Sequence, residues 1–134
     1  MPFRINHLHV KSRDPKRSAD WFISAFNFSI VSDESRSTGE RFIRCTTEDG
    51  ALRVNFSGER YGESLPDGPN GIHLGLEHFG IDVVDLQLEL RRLLSFGACL
   101  EGQPGKLVNG QQYAFIRTPD GVRVELMQPP SEQG

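Results

Sequence analysis

The chain has 134 residues, 37% of them hydrophobic and 25% charged, with a formal net charge of -3. That length buries a core without staples, and that balance excludes a disordered or fibrous chain. The apolar runs are far too short for a membrane span, and the negative charge offers no general attraction to phosphate backbones, so neither a membrane nor a nucleic acid is expected as partner.

The N-terminal stretch MPFRINHLHV lacks a basic segment leading into an apolar one, so no signal peptide is expected and the cytoplasm is the anticipated compartment. Ile5 to Lys11 alternates His7, His9 and Lys11 with Asn6, Leu8 and Val10, the period of a strand with one buried face. Asp14 can cap a helix that Pro15 opens, with Ala19, Phe22, Ile23 and Phe26 on one stripe and Asn27 at its end. On that helix Lys16 and Arg17 read as a solvated face, and Trp21 and Phe22 as packing residues. Strands are predicted at Phe28 to Ser32, Arg41 to Thr47 and Ala51 to Ser57, the last two joined by the turn Glu48-Asp49-Gly50.

Residues 58–75 are rich in glycine and carry little periodicity, as a connection would. Phe79, Ile81 and Val83 then alternate with His78, Gly80 and Asp82, and Asp85 caps a helix carrying Leu86, Leu90, Leu93 and Leu94 up to Gly97. Strands at Ala98 to Glu101, Gln112 to Thr118 and Val122 to Gln128 follow, and Pro129-Pro130 stops the sheet. Cys45 and Cys99 fall on separate predicted strands and read as buried reduced thiols.

The second half repeats the first. His7 and Asp14 recur as His78 and Asp85, and Asp49-Gly50 as Asp120-Gly121, each 71 residues later. After the loss of one residue, Arg53-Val54-Asn55 recurs as Arg123-Val124-Glu125. Two β-α-β-β-β modules, 4–57 and 76–129, are expected around the 58–75 connection within one domain, with a tail at 130–134.

Each first strand sets its histidine opposite the apolar face, and each last strand does the same with Asn55 or Glu125. If the two sheets curve toward one another, His7, His78 and Glu125 converge. Two imidazoles and a carboxylate neutralise and hold a divalent metal while leaving positions open for a substrate or water. His73, five residues before His78, precedes the alternation and is not expected to be a ligand.

The segments INHLHVKSRDPKRSADWF, LEHFGIDVVDL and TPDGVRVELMQP resemble the vicinal oxygen chelate superfamily, which includes glyoxalase I, extradiol dioxygenases, methylmalonyl-CoA epimerase and the fosfomycin- and bleomycin-resistance proteins. The likeness spans roughly residues 5 to 129. It implies an α+β fold in which the two modules form an open eight-stranded cup, one divalent metal (Fe, Mn, Zn, Ni or Co) at His7, His78 and Glu125, and a homodimer. Asn55 stands where glyoxalase I and the epimerase carry a fourth, carboxylate ligand. Phe115 stands where extradiol dioxygenases have a tyrosine, and His9 where fosfomycin-resistance enzymes have a threonine.

His9 should face the same cleft as His7, where it can carry a proton near neutral pH. Glu125 is read as ligand and catalytic carboxylate together. Arg53 and Arg123 hold equivalent places where a guanidinium can grip a carboxylate or phosphate; for Arg123 an internal salt bridge, with Asp82 as partner, is the alternative. Asn55 and Tyr113 complete the expected substrate-binding set.

The leading expectation is a metal-dependent lyase or isomerase that chelates a small anionic substrate through adjacent oxygens and stabilises an enolate or oxyanion. The runner-up is a non-haem iron, ring-cleaving dioxygenase, and the third reading is a metal-free drug-binding resistance protein.

Overall fold

The computed structural model describes residues 2–131 and consists of two compact units, Met1–Pro66 and Asp67–Gly134, whose boundary lies inside the glycine-rich connection.

The first unit runs β1 (His7–Lys11), α1 (Pro15–Phe26), β2 (Ser29–Ser35), β3 (Arg41–Thr46) and β4 (Arg53–Ser57). Helix α1 starts where the sequence places it, because the Asp14 carboxylate accepts the free backbone N–H of Arg17 and Pro15 has no N–H to leave unsatisfied. Asn27 closes it in the left-handed conformation, φ 58°, with its N–H donating to the Ile23 carbonyl. The sheet order is β1-β4-β3-β2, with β1 parallel to β4 and the other pairs antiparallel. Ala19, Phe22 and Ala25 of α1 meet Ile43, Cys45, Val54 and Phe56 of the sheet. Full burial of side chains such as Phe22 and Phe56 stabilises the unit by roughly 1.5–3 kcal/mol each.

The second unit repeats this order: β5 (Phe79–Asp82), α2 (Leu86–Leu94), β6 (Cys99–Lys106), β7 (Gln112–Arg117) and β8 (Arg123–Gln128), with sheet order β5-β8-β7-β6. Asp85 caps α2 by accepting the Leu88 N–H. Leu86, Leu90 and Leu93 pack on Ala114, Ile116, Val124 and Leu126. The repeat found in the sequence is therefore a repeat of topology. Among the described residues no helix is long and apolar enough to cross a membrane.

Four expectations need correction. Strand β6 continues to Lys106 rather than ending at Glu101, because a bulge between Glu101 and Gly105 absorbs Gly102 (φ 70°) and Pro104 and lets the pairing with β7 resume. Strand β2 runs to Ser35, and β4 starts at Arg53 rather than Ala51 because Ala51 and Leu52 belong to the turn. Of the two thiols only Cys45 is buried; Cys99 is exposed at the start of β6. Burial, helped by the charge of Asp20, pushes the Cys45 thiol up to about 11. A thiol reagent at neutral pH should thus label native protein at Cys99 alone, and Cys99→Ser should abolish the labelling until the protein is denatured. Rapid labelling of native Cys99→Ser would contradict the placement of Cys45.

Candidate functional site

Each sheet has one face under its helix and one polar face, and the polar faces carry the predicted residues. In the first unit His7 pairs in register with Arg53, His9 with Asn55 and, across β3, Arg44 with Asn55. Side chains from these positions line a cleft of about 720 Å3, together with Arg4, Asn6 and Phe42. His7 is exposed, and its Nδ1 lies 2.5 Å from the Asn6 Oδ1. With Nδ1–H donating to that oxygen, Nε2 keeps its lone pair for another partner.

His9 is held from two sides. Its Nε2 is 2.7 Å from the Ser57 Oγ, and its ring meets Phe42 edge-on at 5.2 Å. Burial, then the charges of Lys11, His7 and Arg36, lower its pKa, so the imidazole is neutral near pH 7 and fit to accept a proton. Ser57, which orients it, was missed in the sequence although it lies on the same face of β4 as Asn55, two residues on. Asn55 is 7% exposed, and its Oδ1 is buried with no hydrogen-bond partner among the described residues.

In the second unit His78 stands just before β5, and the unit brings it against Glu125: Nε2 is 3.1 Å from Oε1, while Nδ1 is 3.1 Å from Glu77 Oε2. A neutral imidazole has one N–H, so with carboxylates on both nitrogens one contact must be bridged by a proton or a cation. The edge of His78 stacks on Phe115 at 4.9 Å. Alternation along β7 is settled by burial: Ala114 and Ile116 are fully buried under α2, which puts Tyr113, Phe115 and Arg117 on the polar face with Glu125. The Tyr113 ring lies over Gly105 of β6.

Arg123 bonds to Glu77 and, at 2.8 Å, to Glu101, and its guanidinium sits 3.8 Å over the Phe115 ring. Its salt bridge is thus with these two acids rather than Asp82, and its charge is already spoken for. Arg117 holds the other Glu101 oxygen at 2.5 Å. Glu77 and Glu101 were not singled out in the sequence, yet Glu77 precedes His78 as Asn6 precedes His7, at the same offset of 71. His73 Nε2 is 2.9 Å from the Leu76 carbonyl oxygen, a bond within its own loop.

The donor set suits a divalent metal. Two donors held at about 2.1 Å and at right angles on one ion lie about 3.0 Å apart, close to the His78–Glu125 spacing. Both histidines have Nδ1 tied to the preceding side chain, which fixes the tautomer a ligand needs. Among the described residues, no three His, Cys, Asp or Glu side chains are gathered into one metal cluster. His7 stands in the first unit, His78 and Glu125 in the second.

A family model described as the Glyoxalase/Bleomycin resistance protein/Dioxygenase superfamily matches residues 4–126. The solved structures that match include a glyoxalase family protein from Bacillus cereus at 16% identity and a TM-score of 0.85, covering 98% of this chain and 97% of that one. The fosfomycin resistance protein FosX from Listeria monocytogenes, complexed with Mn(II) and sulfate, matches at 11% identity and a TM-score of 0.72 over 99% and 98%. Glyoxalase I from Zea mays matches at 21% and 0.74, covering 96% of this chain and 45% of that one. At these identities the likeness is one of fold. A search of curated proteins finds no match.

Proposed function

Since the chain belongs to the Glyoxalase/Bleomycin resistance protein/Dioxygenase superfamily, whose solved members include a protein complexed with Mn(II), we propose that it is a divalent-metal-dependent enzyme of the lyase or isomerase type, with His7, His78 and Glu125 as ligands. The observation that carries this reading is the His78–Glu125 pair, with the imidazole fixed from behind by Glu77. A homodimer and a small-molecule substrate belong to the same reading, the three ligands being supplied by one chain or by two copies of it.

Held by His7, His78 and Glu125, such a metal would supply Lewis acidity toward the oxygens of a bound substrate. The chain's own residues do the rest. His9, neutral and aligned by Ser57, takes a substrate proton and can return it. Arg53 grips the anionic end of the substrate, since among the described residues it has no carboxylate partner. Asn55 offers its amide from the cleft wall, and Tyr113 flanks the second sheet. Glu125 serves as ligand and as catalytic carboxylate. The phenyl ring of Phe115 against His78 brings no hydroxyl to this place, which favours a lyase or isomerase over a ring-cleaving dioxygenase.

Protein purified without chelator should carry one equivalent of divalent metal and, in heavy water, exchange the C–H proton beside the carbonyl of a small oxo acid or hydroxy acid. Exchange should stop on chelation and resume on adding metal. Absence of stoichiometric metal overturns the enzyme reading, and iron with oxygen uptake on a catechol overturns the choice of reaction.

A further inference from the structure

The two polar faces are built on one plan but carry opposite electrostatics. Arg53 and Arg123 are repeat equivalents, 70 residues apart, yet only Arg123 is neutralised. The difference is readable position by position. Where the second unit has Glu77, the first has Asn6, 71 residues earlier. Where β6 sets Glu101 beside Phe115, and β7 sets Phe115 beside Glu125, the matching registers of the first sheet are Ser32 beside Arg44 and Arg44 beside Asn55. Four equivalent positions, Glu77, Glu101, Phe115 and Glu125, thus become Asn6, Ser32, Arg44 and Asn55. Every one of these changes makes the first face more positive.

The consequence is visible in the cleft. Its lining includes Arg4, Arg44 and Arg53 and no aspartate or glutamate, in a chain whose net charge is -3. Arg44 is held by Glu34 at 2.9 Å, but Glu34 is half exposed and lies outside the lining. Among the described residues neither Arg4 nor Arg53 has an acid partner or a ring to stack on. Asn55, more than nine-tenths buried, lines the same cleft, and its Oδ1, without a partner among the described residues, is an acceptor for a donor group of the ligand such as a hydroxyl. Guanidiniums without an acid partner, gathered in a cleft lined by no carboxylate, make a site for an oxyanion that would accept from them together.

We infer that the first-unit cleft is a subsite for a doubly charged oxyanion, a phosphate ester or a paired carboxylate, gripped by Arg53 and Arg4 with Arg44 behind them. In naming the substrate's charge this builds on the proposed reading, but the subsite itself needs no metal. The ligand's second charge is what separates this inference from a single carboxylate held by one arginine.

Inorganic phosphate, succinate and acetate titrated calorimetrically into chelator-treated protein at low ionic strength provide the test, with Arg53→Gln, Arg4→Gln and, as a control cation on α1, Arg17→Gln. Saturable binding of phosphate or succinate is expected, well above acetate. Loss of one charge-assisted bond should weaken it about tenfold or more in Arg53→Gln and Arg4→Gln but not in Arg17→Gln. Phosphate ahead of succinate identifies a phosphate ester, and the reverse a dicarboxylate. Equal affinity for acetate, no saturable binding, or affinity unchanged in Arg53→Gln overturns the inference. His78→Ala should keep phosphate binding while losing metal, so a failure of the metal reading leaves this result intact, and a failure here leaves metal binding intact.

Discussion

Alanine at His78 should cost the protein its metal while leaving it folded. His78 is a quarter exposed and touches the sheet through the edge of Phe115, so little packing is lost with the imidazole. Its Nε2 is the nitrogen that faces Glu125, 3.1 Å from Oε1. Outer partners of a ligand are typically worth 10–100-fold in metal affinity, so loss of the ligand itself should exceed about a hundredfold. His7→Ala and Glu125→Gln should behave alike, because each removes one of the three proposed donors. His73→Ala is the control, since that imidazole is bonded to the Leu76 carbonyl in its own loop. Metal titration monitored with a competing chelator, beside a thermal melt of each variant, decides the matter. Full metal binding by His78→Ala, or its loss in His73→Ala, would sink the ligand assignment.

How far the sequence could lead depended on how local each signal was. Helix α1 was legible to the residue because its determinants sit within one turn of its ends: Asp14 and Pro15 at one, Asn27 at the other. The halves could be aligned because histidine, capping aspartate and Asp-Gly turn recur at one spacing, and that alignment brought His78 and Glu125 to adjoining strands. Strand β6 was cut short because Gly102, Pro104 and Gly105 look like a loop unless the partner strand that tolerates the bulge is seen. The alternative that the sequence offers for Arg123 is a salt bridge to Asp82 on β5, whereas its partners are Glu77 before that strand and Glu101 on β6. Such pairings are set by register and bulge, which no periodicity encodes. Arg4 carried no signal at all, for it lies outside every element and gains meaning only from the cleft it lines.

The contrast between the two equivalent arginines yields the second large effect. Arg123 is 11% exposed and has two carboxylates on it; Arg53 is exposed and has none among the described residues. Arg123→Gln leaves Glu77 and Glu101 facing the same space with less positive charge between them, and should destabilise the protein by about 2–3 kcal/mol, below the 3–5 of a fully buried pair because both acids are partly solvated. Arg53→Gln should stay within about 0.5 kcal/mol of the parent. The damage at Arg123 should also reach the metal, because Glu77 holds both Arg123 and the Nδ1 of His78; an unanchored Glu77 should lower metal affinity about 10–100-fold. Acid unfolding supplies an independent reading. Arg117 first, then Arg123, hold the Glu101 carboxyl below the ordinary glutamate value. The stability this contributes is fully present above about pH 4.3 and is lost as pH falls through the lowered folded value. Arg123→Gln should therefore flatten the acid limb of the stability curve, and Arg53→Gln should not. Equal destabilisation by the two variants would show that Arg53 has structural partners of its own, and would remove the free guanidinium on which the anion subsite depends.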